Sequence, residues 1–319
     1  MGNPDRETGR LAALVRGGDS GAVARALSVV EDEGPGASGL LHELYDAARA
    51  WKTVGVTGPP GAGKSTLVDR LIGHWRSEGR RVGVLAVDPT SPFSGGALLG
   101  DRLRMQDHAC DPGVFIRSMG SRGHVGGLSG ATSAAAQVLG AAGFDPVVVE
   151  TVGVGQGEVE VAGLADVTLL VLVPGLGDDV QVMKAGIMEI GDVIALNKSD
   201  GPGIDQLENA VRASIDLLPP GAPRPAVCRC SAETGEGLDC LFSEIGSLLC
   251  SSSSSAEARR ERAREDVLRV VESRGVDIGR RLLERVYGSE KAVDMVLAGE
   301  TSPWRIGEEL ALLASKALE

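Results

Sequence analysis

Residues 58–66 read Gly-Pro-Pro-Gly-Ala-Gly-Lys-Ser-Thr and follow directly on the β-branched run Thr53–Thr57. The spacing fits GxxxxGKS/T, a glycine-rich turn joining a buried strand to the N-terminus of a helix. Such a turn constrains the fold, because its backbone N–H groups converge on one point only when the entering strand and leaving helix are held in fixed geometry. Gly58, Gly61, Ala62, Gly63, Lys64, Ser65 and Thr66 are therefore expected to line a phosphate site. Lys64 would set a point charge against the β- and γ-phosphates, which also makes it a catalytic candidate. The Ser65 hydroxyl can ligate Mg2+.

The rest of the chain alternates as that turn demands. Short apolar runs (Thr53–Thr57, Val82–Asp88, Val114–Arg117, Val147–Val152, Thr168–Pro174, Val193–Asn197 and Ala226–Cys230) are separated by stretches of helical period. Several lack polar alternation, as parallel strands covered on both faces do. The expectation is an α/β fold: a P-loop NTPase with a doubly wound, mostly parallel sheet and helical extensions at its N-terminal and C-terminal ends. Residues 1–50 form the first extension. There Leu11, Leu14 and Val15, then Val23, Ala26, Leu27 and Val30, recur at helical spacing on either side of Gly17-Gly18-Asp19-Ser20. Asp19 or Ser20 is the expected N-cap. Residues 51–250 form the nucleotide domain. Residues 251–319 hold a linker, the serines at 251–255, and a charged helical segment carrying Val267, Leu268, Val271, Leu282, Leu283 and Val286. This tail has little core of its own and is expected to pack on the main domain or on a second copy of the chain.

Asn197-Lys198-Ser199-Asp200 closes a later strand run. A carboxylate at Asp200 can accept from both the N1–H and the exocyclic amine of guanine, whereas adenine would leave the charge without donors. The Lys198 stem would lie along the base, and Ser231 and Ala232 are placed to offer backbone contacts to it. GTP and GDP are thus the expected nucleotides. Asp88, ending the second strand, Asp101, in the glycine-rich loop SGGALLGD, and Glu150 are the acids expected to hold Mg2+ with Ser65. Many GTPases carry DxxG at the position of Glu150-Thr151-Val152-Gly153, and glutamate there keeps the charge while lengthening the reach. Gln156, in GVGQGE, is the candidate for positioning the attacking water. No arginine finger is evident, which implies slow turnover without a partner.

Composition narrows the partners. A net charge of −12 with no basic stripe argues against nucleic acid. The longest apolar runs, such as Val167–Val173, are strand-sized and far short of the roughly 20 residues that span a bilayer. The opening MGNPDRETGR has no hydrophobic signal region and carries Arg6 where a myristoylation motif wants serine or threonine. No membrane association and a cytoplasmic location are expected. Five scattered cysteines (Cys110, Cys228, Cys230, Cys240 and Cys250) argue against a disulfide framework, and the one close pair, Cys228 and Cys230, reads as core or near-core thiols.

VTGPPGAGKSTLVDRL, VDPTSPFSGGALLGDRLRM, FIRSMGSRGHVGGLS, VVVETVGVGQGEVEV and VPGLGDDVQVMKAGIMEIGDVIALNKSD, with the Ser231-Ala232 element, resemble the MeaB/ArgK-like (MMAA-type) P-loop GTPases. The likeness runs from about Arg16 through Ala232 and more weakly to the end. It implies a GTP-hydrolysing chaperone that gates cofactor loading and protection of an adenosylcobalamin-dependent acyl-CoA mutase such as methylmalonyl-CoA mutase. It also implies a homodimer through the C-terminal helices. Lys64, Ser65, Asp88, Asp101 and Glu150 fall on the family's phosphate–magnesium positions, and Asn197, Lys198 and Asp200 on its base-recognition positions. GLGDDVQVMKAG resembles the family's extra switch loop, which would give Lys184 a part in signalling to the mutase. The chain departs from the family at Gly157, where serine is usual.

Two other readings are nickel-type metal insertion and a transport-associated kinase. The four histidines, His42, His74, His108 and His124, form no metal-delivery tract, and no acceptor-site base accompanies NKxD. The base-recognition reading predicts that Asp200→Asn weakens GTP binding and makes xanthosine triphosphate a better ligand. Calorimetry checks this, and unchanged GTP affinity would defeat it.

Overall fold

The computed structural model describes residues 4–32, 36–45, 51–88, 108, 110–120, 129–151, 161–175, 190–251 and 256–316. The chain divides into two compact units, Met1–Ser255 and Ala256–Glu319. In the first, helices α1 (Pro4–Arg16), α2 (Ser20–Glu31) and α3 (Ala37–Leu44) come before the alternating part. That part runs β1 (Thr53–Thr57), α4 (Lys64–Ser77), β2 (Val82–Asp88), β3 (Val114–Gly120), α5 (Ser129–Ala141) and β4 (Val147–Thr151). It continues through β5 (Val167–Leu172), β6 (Val193–Leu196), α6 (Ile204–Asp216), β7 (Ala226–Arg229) and α7 (Leu238–Ser251). The strands make one 7-stranded sheet in the order β3-β2-β4-β1-β5-β6-β7. All its pairs are parallel.

Each expected strand is present; several ends differ by one residue, and two differ by more. β3 runs past Arg117 to Gly120, because pairing with β2 continues through Ser118↔Ala86 and Gly120↔Asp88 after the apolar pattern has ended. β5 stops at Leu172, short of Pro174, whose ring nitrogen has no hydrogen for a ladder.

Strand residues alternate between two packed faces. On one, Val54 and Val56 of β1, Val148 of β4 and Leu169 and Val171 of β5 meet Leu67, Leu71 and Ile72 of α4 and Leu241 and Ile245 of α7. On the other, Leu85, Val87, Val147 and Val149 pack with Leu139 of α5 and with Val15, Val23 and Leu27 of the N-terminal helices. Further along that face, Leu170, Leu172, Ile194 and Leu196 are covered by Leu207, Val211 and Ile215 of α6. Asp19 is the N-cap of α2, its side chain accepting from the Ala22 N–H at 2.7 Å. Arg117 reaches back from β3 to Glu31 at 2.6 Å, tying α2 to the sheet.

The edge of the sheet where the strands begin is closed by carboxylates. Asp145 accepts from the Lys52 N–H at 2.9 Å, Asp166 from Thr53 at 2.7 Å, and Asp192 from Thr168 at 2.8 Å. These satisfy donors that would otherwise lie in a half-buried edge. Burial raises the Asp192 carboxyl above the usual range despite its backbone partner. Cys228 and Cys230 are buried thiols, as expected, and burial pushes both up to about 12. The Cys228 sulfur lies 3.3 Å from that of Cys240.

The second unit holds α8 (Ala256–Val286), α9 (Ser289–Leu297) and α10 (Pro303–Lys316). Gly288 turns the chain into α9, and the Ser289 N–H and hydroxyl both donate to Glu284 at 3.0 and 2.6 Å. The Tyr287 hydroxyl donates to Glu309, joining α8 to α10. Among the described residues of this unit only Ala292 and Ile306 are buried apolar side chains, while Val267, Val271, Leu297 and Trp304 are exposed.

Candidate nucleotide site

β1 lies between β4 and β5, and the chain crosses from one half of the sheet to the other between those two strands. The C-terminal end of β1 therefore opens at the switch point, where sheets of this class bind ligands. Two of the glycines in the turn leaving β1 cannot be replaced without collision. A Cβ on Gly58 (φ +139°) would stand 2.2 Å from the Val171 carbonyl oxygen of β5. A Cβ on Gly63 (φ +87°) would stand 2.4 Å from the Asn197 side-chain nitrogen. Gly61 (φ +76°) has nothing within 4 Å and faces open space.

Gly63 is the N-cap of α4 and supplies no capping side chain, nor does the first turn carry an acid. The leading N–H groups of α4 and the positive end of its dipole are thus directed at the loop. Lys64 and Ser65 are buried behind it, and Thr66 is exposed. The Lys64 ammonium donates to the Gly58 and Pro59 carbonyls at 2.7 and 3.0 Å, which holds the charge over the turn. The Ser65 hydroxyl donates to Glu150 Oε1 at 2.6 Å. Glu150, 2% exposed, sits beside Val56 in the β1–β4 register. A hydroxyl and a carboxylate meeting next to a phosphate cradle form an oxygen-only donor set of the kind Mg2+ takes.

The base-side candidates gather at the ends of β6 and β7. Asn197 is buried, and both ends of its side-chain amide are used by backbone: Nδ2 donates to Ala62 O at 2.8 Å and Oδ1 accepts from Ala232 N at 3.0 Å. Lys198 adopts φ +60°, a left-handed conformation uncommon outside glycine, and its ammonium donates to Gly61 O at 3.0 Å. Ser199 N donates to Cys230 O at 3.1 Å, joining the two base-side loops. Asp200 is exposed, and a hydrogen bond from Ser231, helped by its own backbone N–H and the Lys198 charge, holds its carboxyl below the usual range. It remains an ionised acceptor throughout the neutral range.

The structure thus gathers Gly58, Gly61, Ala62, Gly63, Lys64, Ser65, Thr66, Glu150, Asn197, Lys198, Asp200, Ser231 and Ala232 around one crevice. Asp88 ends β2 two strands from β1, and its side chain is outside the described residues. Asp101, Gln156 and Lys184 also lie outside them. One contributor was missed in the sequence. Arg70 of α4 donates from Nε to Ala232 O at 2.8 Å and from a terminal nitrogen to Glu233 O at 3.0 Å. Its only signal was its place one turn after Thr66, on the same exposed helix face.

These contacts predict unequal costs for two glycine substitutions. Gly61→Ala is expected to lower unfolding free energy by about 1 kcal/mol, the strain of a left-handed alanine. Gly63→Ala adds displacement of Asn197 and the loss of its buried bonds, and is expected to cost about 2–4 kcal/mol. Urea unfolding of the nucleotide-free protein checks this, and equal costs would dismiss the Asn197 contact as the reason for Gly63.

The chain is similar to several known proteins. The family described as methylmalonyl-CoA mutase-associated GTPase MeaB matches residues 23–281. A protein of Pyrococcus horikoshii named as a GTPase is 44% identical over 301 residues, covering 92% of this chain and 94% of its own. GTPase ArgK of Escherichia coli is 37% identical across 79% of each chain. The crystal structure of a LAO/AO transport system kinase aligns with a TM-score of 0.70 at 25% identity and covers 99% of both chains. With a strand-borne phosphate loop, an NKxD element locked to it and a family match over most of its length, the chain belongs to the MeaB family of methylmalonyl-CoA mutase-associated GTPases.

Proposed function

We propose that this chain hydrolyses GTP to GDP and phosphate as a chaperone that gates cofactor loading and protection of an adenosylcobalamin-dependent acyl-CoA mutase, such as methylmalonyl-CoA mutase. The observation that carries the partner is the family match over residues 23–281, since that family is described by its association with methylmalonyl-CoA mutase. The nucleotide chemistry is supported by the site. The α4 N-terminus and the loop amides would cradle the phosphates, and Lys64 would turn from its loop carbonyls to the β- and γ-oxygens. Asp200 would accept the two guanine donors, and Asn197 would keep the base loops in register with the phosphate loop. Ser65 and Glu150 would hold Mg2+ with Asp88 and Asp101, and the ion would neutralise charge building on the phosphate oxygens. The parts given to Gln156, as positioner of water, and to Lys184, as a link to the mutase, rest on the sequence resemblance alone.

A second part of the proposal is a homodimer formed through the second unit. Its support is the apolar surface of α8–α10: Val267 is 62% exposed, Val271 61%, Leu297 80% and Trp304 80%. Side chains of this kind favour burial by about 25 cal/mol for each Å² removed from water. Light scattering is expected to find a dimer that becomes a monomer when residues after Ser255 are removed. A monomeric full-length chain would refute this part.

GTP turnover, measured alone and with the adenosylcobalamin mutase of the same organism, tests the main reading, with ATP as control. Slow GTP hydrolysis accelerated at least tenfold by the mutase is expected. GTP hydrolysis indifferent to every such mutase would leave a GTPase with another client.

A further inference from the structure

The loop between β7 and α7 carries Ser231 and Ala232, and most of its own hydrogen bonds are internal. Ser231 N donates to Glu236 O at 2.8 Å, Gly235 N to Ser231 O at 2.8 Å, and Thr234 N to Ser231 Oγ at 3.2 Å. Two carbonyls at its crest, those of Ala232 and Glu233, take their side-chain donors from Arg70 instead. Arg70 lies on α4, the helix whose first turn forms the phosphate cradle. The Ala232 residue is therefore held from two sides: its N–H by Asn197 Oδ1 at 3.0 Å and its carbonyl by Arg70 Nε at 2.8 Å. Its neighbour Ser231 is the residue whose side chain bonds the Asp200 carboxylate.

We propose that Arg70 is a positioning residue for guanine recognition, fastening the Ser231–Glu233 segment to the phosphate-side helix and so aiming Asp200 at the base. The inference rests on the guanine-nucleotide reading above and adds to it a residue that does not itself touch the nucleotide. The guanidinium suits the task, because its planar fork can serve two neighbouring carbonyls at once without being deprotonated. Removing it frees the segment on one side only, with Asn197 still in place. The loop should then persist but lose its aim. The guanidinium is on the exposed face of α4, so its removal opens no cavity in the core.

The test compares GTP with inosine triphosphate, which keeps the N1–H but lacks the exocyclic amine. Wild-type chain is expected to prefer GTP by at least tenfold. In Arg70→Ala, GTP affinity by calorimetry should fall about tenfold, the equivalent of about 1.4 kcal/mol. Inosine triphosphate affinity should fall less, so that the preference narrows severalfold. Arg70→Lys, which can reach one carbonyl, should fall between. If the alanine variant does not fold, the lysine variant carries the same reading through the same ratio. A merely structural role would weaken both nucleotides alike, and an unchanged ratio in the variants would overturn the assignment while leaving the GTPase reading intact. Failure of the wild-type chain to bind GTP would overturn both.

Discussion

The buried amide of Asn197 holds the site together, because among the described residues it is the side chain that bonds the phosphate loop and the Ala232 loop at the same time. Its partners, Ala62 and Ala232, are separated from it by 135 and 35 residues. Neither carbonyl nor N–H could be left unmet in that dry position without a cost of about 1–3 kcal/mol. Both bonds require Asn197 to approach the turn so closely that position 63 has room for hydrogen and nothing more. The glycine pattern of the loop is therefore set from two directions. Gly58 yields to the β5 backbone, and Gly63 yields to Asn197, the residue that follows β6. The phosphate cradle and the base loops are thus joined through the amide of Asn197.

Much of this was legible in the sequence because it is written in local patterns. Seven apolar runs gave seven strands, and Asp19 proved to be the N-cap of α2. Parallel strands buried on both faces leave uninterrupted apolar runs, so their positions are hard to miss. Their ends were less legible. β3 outlasts its apolar pattern because an edge strand is held by ladder bonds on one side and needs no apolar residue at Ser118 or Gly120. Long-range polar contacts left no periodic trace. Asp145, Asp166 and Asp192 belong to no nucleotide-binding motif, yet each accepts from a backbone N–H where a strand begins. Arg70 likewise stands outside the GxxxxGKS/T and NKxD motifs. The NKxD residues were assigned together to the base, whereas Asn197 spends both ends of its amide on the backbone and leaves the exposed Asp200 as the acceptor.

Glu150 shows what a single methylene does. An aspartate at that place in β4 would keep its carboxylate nearer the strand, while the glutamate reaches across to the Ser65 hydroxyl at 2.6 Å. The first turn of α4 is thereby tied to β4, as the phosphate loop is tied to the residue that follows β6.

The order of the strands also bears on how a bound nucleotide would leave. β1 has a partner along both edges, and strands so placed are among the last to lose protection in hydrogen exchange. The phosphate cradle is suspended from that strand. The base loops hang from β6 and β7, and β7 is the outermost strand on its side. Fraying there would loosen the purine end while the anion end stayed gripped. Exchange of product for substrate would then begin with the base swinging free and finish with the phosphates, the reverse of an exit driven from the cradle.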